Sequence, residues 1–74
     1  MKKIKRILVD MSATLFQHGH VRLLKEAKEY GKVIVALTTD IEIENKKGYK
    51  PELNFSEREE ILLSIKYVDE VIAS

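Results

Sequence analysis

Apolar residues fall along this chain in short bursts with two different periods. Ile4 with Ile7-Leu8-Val9 reads as a first strand, and Val33-Ile34-Val35-Ala36-Leu37 as a second and clearer one. Near-continuous apolar runs of this length suit parallel strands covered on both faces. Between them Val21, Leu24 and Ala27 recur close to helical spacing and predict a helix from about Gly19 to Tyr30, with Gly31 as its natural stop. Asp10 to Gln17 reads as the loop into that helix, and Ile41 to Asn54 as a polar, irregular stretch. Ser56-Glu57-Arg58-Glu59 then matches a capping box, with Ser56 as cap and Glu59 reaching back. Ile61, Leu62, Ile65 and Val68 trace an apolar stripe behind it, and Val71-Ile72 opens a third strand. The predicted order is βαβαβ, which implies a parallel sheet with right-handed crossovers.

That order decides where chemistry can sit. Ligands of open parallel sheets lie beyond the carboxyl ends of the strands. Those ends present Asp10 to Gln17 and Thr38-Thr39-Asp40, and Gly19 and His20 open the first helix at the same edge. A helix N-terminus offers unpaired N–H groups and partial positive charge, glycine allows close approach of the backbone, and histidine adds a donor. The junction His18-Gly19-His20 therefore suits nucleotide phosphates. As a metal site it is poor, because His-x-His supplies two ligands and only Asp10 stands near as a third.

Composition narrows the classes. At 74 residues the chain is a single domain or part of one, and such a chain buries only about 60% of its unfolded surface. Thirteen basic residues against 12 acidic ones leave a net charge of +1, which argues against broad nucleic-acid binding. There is no cysteine to form a disulfide or thiolate zinc site, which fits a cytoplasmic protein. The apolar run after the basic start is too short for a signal peptide or membrane span.

Met11-Ser12-Ala13-Thr14-Leu15-Phe16-Gln17-His18-Gly19-His20, followed by Leu23-Leu24-Lys25-Glu26-Ala27-Lys28-Glu29-Tyr30-Gly31, is similar to the opening of the cytidylyltransferase family. That family carries an HxGH signature and loads phospho-alcohols or phosphonates onto CMP. The likeness continues through Val35-Ala36-Leu37-Thr38-Thr39-Asp40, the Lys46-Lys47 segment, Glu57-Arg58 and Tyr67-Val68-Asp69-Glu70-Val71-Ile72.

The resemblance implies an α/β, Rossmann-like parallel sheet, the N-terminal half of a nucleotidyltransferase domain, over residues 1–74. It implies CTP bound with Mg2+, in-line attack of a phosphate or phosphonate oxygen on the α-phosphorus, and release of pyrophosphate. His20 matches the second histidine of HxGH and Gly19 its glycine. Gln17 stands where the family has its first histidine; a glutamine donates a hydrogen bond but cannot become cationic. His18 falls at the variable position. Ser12 and Ala13 resemble the small residues of the phosphate loop, Lys46 or Lys47 the phosphate-gripping lysine, Arg58 an arginine supporting the substrate site, and Asp40 the aspartate after the second strand.

The family's second half, with a further strand and a serine- and threonine-rich segment, has no counterpart in residues 1–74. A three-stranded half-sheet would leave an edge and an apolar face open, so self-association or a completing segment is expected. Two other classes stay open. The chain could be a nucleotide-binding or assembly module without chemistry of its own. Alternatively, Ile7-Leu8-Val9-Asp10-Met11-Ser12-Ala13-Thr14-Leu15-Phe16 is similar to the first motif of haloacid-dehalogenase phosphatases, which would make Asp10 a nucleophile. In that reading Ser12 replaces the acid–base aspartate.

Overall fold

The computed structural model describes residues 5–13 and 18–74. Its elements run β1 (Arg6–Met11), α1 (His18–Tyr30), β2 (Lys32–Leu37), α2 (Asp40–Lys47), α3 (Phe55–Leu63) and β3 (Glu70–Ala73). The strands form one parallel sheet in the order β1-β2-β3, with Arg6 opposite Lys32 through Met11 opposite Leu37, and Ile34 opposite Glu70 through Leu37 opposite Ala73. The expected Rossmann-like α/β architecture is therefore present. Asp10 and Met11, expected in a loop, belong to β1 because both pair with β2.

Residues two apart in a strand share a face. Val9, Val33, Val35 and Leu37 point to the same side and pack with Leu24 and Ala27 of α1, Leu62 of α3, and Ala13 and Val68. Both crossovers thus cover one face of the sheet. The other face carries Leu8, Asp10, Ile34, Ala36 and Ile72, and among the described residues Leu8 remains 60% and Ile72 42% exposed. The expectation of cover on both faces is corrected here, whereas the expected open apolar face is found.

The stretch expected to be irregular contains α2, so the order is βαβααβ. Its single buried residue is Ile43, which gives apolar periodicity nothing to detect. Its ends hold it instead. Thr39 Oγ1 accepts a hydrogen bond from the Glu42 N–H at 3.3 Å, and Gly48, at φ 77°, donates its N–H to the Glu44 carbonyl at 2.8 Å. Acidic Asp40 and Glu42 sit in the first turn and basic Lys46 and Lys47 in the last, complementing the helix dipole.

The capping box of α3 lies two residues earlier than expected. Asn54 Oδ1 accepts from the Glu57 N–H at 2.9 Å, and Glu57 Oε1 accepts from the Asn54 N–H at 3.0 Å. Both tetrads fit the pattern of a capping box. Packing favours the earlier one, because starting at Phe55 sets that ring against the core and turns Arg58 and Leu62 inward. The helix ends at Leu63, so Ile65 and Val68 reach the core from the following turns.

At the α1–β2 junction Gly31 passes so close to β1 that a Cβ would collide with the Lys5 carbonyl oxygen, while the Lys32 N–H donates to that same oxygen at 2.8 Å. The stop read in the sequence is thus also a point of backbone contact.

Candidate functional site

The carboxyl ends of β1 and β2 are tied together by one side chain. Arg58 is fully buried, and its guanidinium donates to four acceptors: the carbonyls of Leu53 at 3.2 Å, Ser12 at 2.6 Å and Thr38 at 2.7 Å, and Asp40 Oδ1 at 2.6 Å. It also lies over the Phe55 ring, 5.8 Å from the centroid. A planar fork with five donors can meet such a divergent set; an ammonium cannot. Asp40 answers from the start of α2, where its other oxygen accepts from the Phe55 N–H at 3.2 Å. The hydrogen bond from Arg58 holds the Asp40 carboxyl below its ordinary value.

The arrangement brings together Ser12, Thr38, Asp40 and Arg58, drawn from three separate segments of the sequence. Arg58 and Asp40 were expected at a ligand. Four of the five donors of Arg58 are engaged inside the protein, where it fixes the backbone at the carboxyl ends of β1 and β2. The sequence carries a signal for this. Arg58 stands between Phe55 and Leu62 at spacings of three and four, the buried register of α3, where a charge needs internal partners.

Ala13 follows Ser12 with φ 53°, in the left-handed region, and its methyl is buried in the core cluster. A left-handed alanine costs roughly 1 kcal/mol, and it occurs here where the chain leaves β1 for the loop. The Thr38 N–H and Oγ1 both donate to the Met11 carbonyl, at 3.1 and 3.3 Å, closing the same rim.

Gly19 and His20 lie in the first turn of α1, which contains no acidic residue to neutralise its partial positive charge. Gly19 is exposed, with no described atom within 4 Å of where a Cβ would stand, and His20 is half-buried. Gln17 lies outside the described residues, as do Thr14 to Phe16, and of His18 only the backbone is described. Lys46 and Lys47 are not in a loop: they end α2, where Lys46 is 70% exposed and pairs with Glu42 at 3.3 Å. Lys46 stands six residues beyond Asp40, about 9 Å along the helix axis.

Asp10 lies in β1, its neighbours Val9 and Met11 facing the helix-covered side, so its carboxylate belongs to the open face. Among the described residues no three His, Cys, Asp or Glu side chains gather as a metal site. No helix among them is long and apolar enough to cross a membrane.

The expected likeness to Tyr67-Val68-Asp69-Glu70-Val71-Ile72 has a structural counterpart. Asp69 accepts both contacts from the Lys28 ammonium, at 2.8 and 2.7 Å, and the Val33 N–H at 2.8 Å, joining α1 to the entry of β2 and β3. The Lys28 hydrogen bond lowers its pKa most, followed by that from Val33.

The chain is 40% identical over 72 residues to a glycerol-3-phosphate cytidylyltransferase of Staphylococcus aureus, covering 93% of this chain and 52% of that protein. It is 36% identical over 72 residues to an FAD synthase of Thermococcus sibiricus, covering 96% and 49%. In three dimensions it resembles the lipopolysaccharide core biosynthesis protein of Thermoplasma volcanium, with a TM-score of 0.85 and 25% identity, covering 97% of this chain and 59% of that one. The chain thus spans about half the length of the curated relatives it matches. None of these likenesses favours the phosphatase alternative built on Asp10. A model of the cytidylyltransferase-like family matches residues 14–74, and with the sheet and rim described above it follows that the chain belongs to that family.

Proposed function

We propose that this chain forms the phosphate-binding half of a nucleotidyltransferase that moves CMP from CTP to a small phosphorylated alcohol or a phosphonate. The observation that carries the reading is the Arg58 bridge. It holds Ser12, Thr38 and Asp40 on the rim toward which the first turn of α1 opens. A phosphoryl-transfer site needs mainly fixed donors around a reacting phosphorus, because positioning and charge stabilisation supply most of the catalysis.

In this reading Gly19 gives its backbone N–H and His20 its imidazole to the phosphate oxygens, with Ser12 and the Ala13 backbone beneath them. An oxygen of the acceptor forms a new bond to the α-phosphorus. The bond to the bridging oxygen breaks, and pyrophosphate leaves with that electron pair. Gln17 and His18 would flank the same phosphates. Lys46 and Lys47 would meet the acceptor's negative charge from the end of α2. Magnesium would arrive on the triphosphate itself, bound through phosphate oxygens, as is usual for this ion. The likeness to an FAD synthase supports a second reading, transfer of AMP from ATP at the same rim.

Calorimetric titration with CTP and with ATP, each with magnesium, tests both. The expected outcome is CTP binding that weakens about tenfold or more in His20→Ala, the loss of one charge-assisted hydrogen bond, with the melting temperature little changed. Tighter binding of ATP would support the second reading. Binding of either nucleotide that ignores His20→Ala would refute the role given to His20, and binding without turnover in any longer form would leave a nucleotide-binding module.

A further inference from the structure

Helix α2 is fastened at one end only. At its start Asp40 accepts from the Arg58 guanidinium at 2.6 Å through one oxygen and from the Phe55 N–H at 3.2 Å through the other. Ile43 is its one buried side chain. Beyond Ile43 every residue from Glu44 to Lys50 is exposed. The polar contacts of that stretch stay within the helix and its cap: Gly48 donates its N–H to the Glu44 carbonyl, and Lys46 pairs with Glu42. Among the described residues no hydrogen bond or ion pair ties residues 44–50 to another element. An element with one buried side chain and a loose far end moves at a lower free-energy cost than the sheet it borders.

A second seat for this helix lies beside it. Ile41 is 72% exposed, next to a pocket of about 310 Å³ that it walls together with Thr39, Asp40, Phe55 and Ala73. The pivot is the Thr39–Asp40 junction, where extended backbone gives way to helix. Turning there toward the carboxyl ends of β2 and β3 sets Ile41 into the pocket and swings Lys46 and Lys47 toward the rim. The exposed Lys46–Glu42 pair is a weak hold against that motion.

A ligand shifts a conformational equilibrium only through what it binds in one state and not in the other. Here that difference is the two lysines. The inward position gains the burial of Ile41 and, once an anion occupies the rim, the attraction of Lys46 and Lys47 as well. We propose that α2 is an arm, pivoting at Thr39–Asp40, that closes over the rim when an anion is bound there, seating Ile41 against Phe55 and Ala73 and bringing Lys46 and Lys47 to the charge. The arm rests on the reading of the rim as a phosphate site and adds a moving part to it.

Amide hydrogen exchange followed by NMR tests the arm in the 74-residue chain. Without ligand, the amides of Glu44 to Gly48 should exchange about tenfold faster or more than those of Leu24 to Lys28 within α1. CTP with magnesium, followed by inorganic phosphate in place of the acceptor's charge, should slow them about fivefold or more. Ile41→Ser changes a side chain that is already in water, so it should leave the melting temperature of the free chain unchanged and abolish the slowing. Ile41→Leu should retain it. Equal exchange in α1 and α2 of the free chain overturns the arm, as does slowing that persists in Ile41→Ser, because α2 is then stiffened without its second seat. Absence of slowing with both ligands present overturns the arm whatever Gly19 and His20 do. Shifts at the Gly19 and His20 amides decide the nucleotide reading separately, so shifts there without slowing in α2 leave that reading standing.

Discussion

A single buried guanidinium organises this site, and its removal should be felt before any ligand is added. Arg58→Met would fill a similar volume but leave the carbonyls of Ser12, Thr38 and Leu53 and the Asp40 carboxylate without their donor. Each orphaned group costs about 1–3 kcal/mol where water cannot replace it, so a loss of about 3 kcal/mol or more is expected in urea titration. Arg58→Lys should recover only a minor share, because one ammonium cannot span the four acceptors. Gly19 makes the opposite prediction. No described atom opposes a methyl there, and alanine is favoured over glycine in helices by up to about 1 kcal/mol. Gly19→Ala should therefore melt at the same or a higher temperature, yet bind CTP about tenfold more weakly if the backbone at this position contacts phosphate. A variant both more stable and equally good at binding would remove Gly19 from the site. At this scale the sequence was partly legible. His20 and Gly19 stood out through the motif they resemble. Arg58 was visible as a residue of interest, but its burial and its bridging of two strand ends depend on contacts 20 and 46 residues away.

At the scale of elements, strands β1 and β2 and helix α1 were legible because each is set by a local apolar period. Helix α2 was not, since Thr39, Gly48 and the dipole-matched charges form it around one buried side chain, Ile43. The start of α3 was misread by two residues because Asn54-x-x-Glu57 and Ser56-x-x-Glu59 are equivalent as strings and differ only in what they turn toward the core. Two carboxylates join elements here, and both give a pH dependence. Asp40 and Asp69 have pKa values lowered in the folded chain from the ordinary 3.8, chiefly by the hydrogen bonds from Arg58 and Lys28. Their contribution to stability is complete above that ordinary value and is lost as the pH falls through the lowered ones. The urea midpoint should therefore fall as the pH drops below about 4. Asp69→Asn should lower the midpoint at pH 6 and flatten the acid slope. An acid limb as steep as that of the parent chain would show that the Lys28–Asp69 link adds nothing.

For the whole molecule, the parallel sheet and the gathering of polar groups at its carboxyl edge followed from the order of strands and helices, as did an open apolar face. That both crossovers cover the same side could not be read from the strands alone, because Leu8 and Val9 look alike until register and crossover direction assign them to opposite faces. The sheet is covered by helices on one side, and the chain spans about half of its relatives' length. The triphosphate site is proposed to lie on the rim of this sheet. Amide NMR spectra recorded during addition of CTP, then ATP, with magnesium test it most directly. Saturable shifts are expected that cluster at Ser12, Ala13, Gly19 and His20 and extend to Lys46, larger for CTP than for ATP. A dispersed spectrum indifferent to both nucleotides, or shifts confined to the outer face of α1, would contradict it.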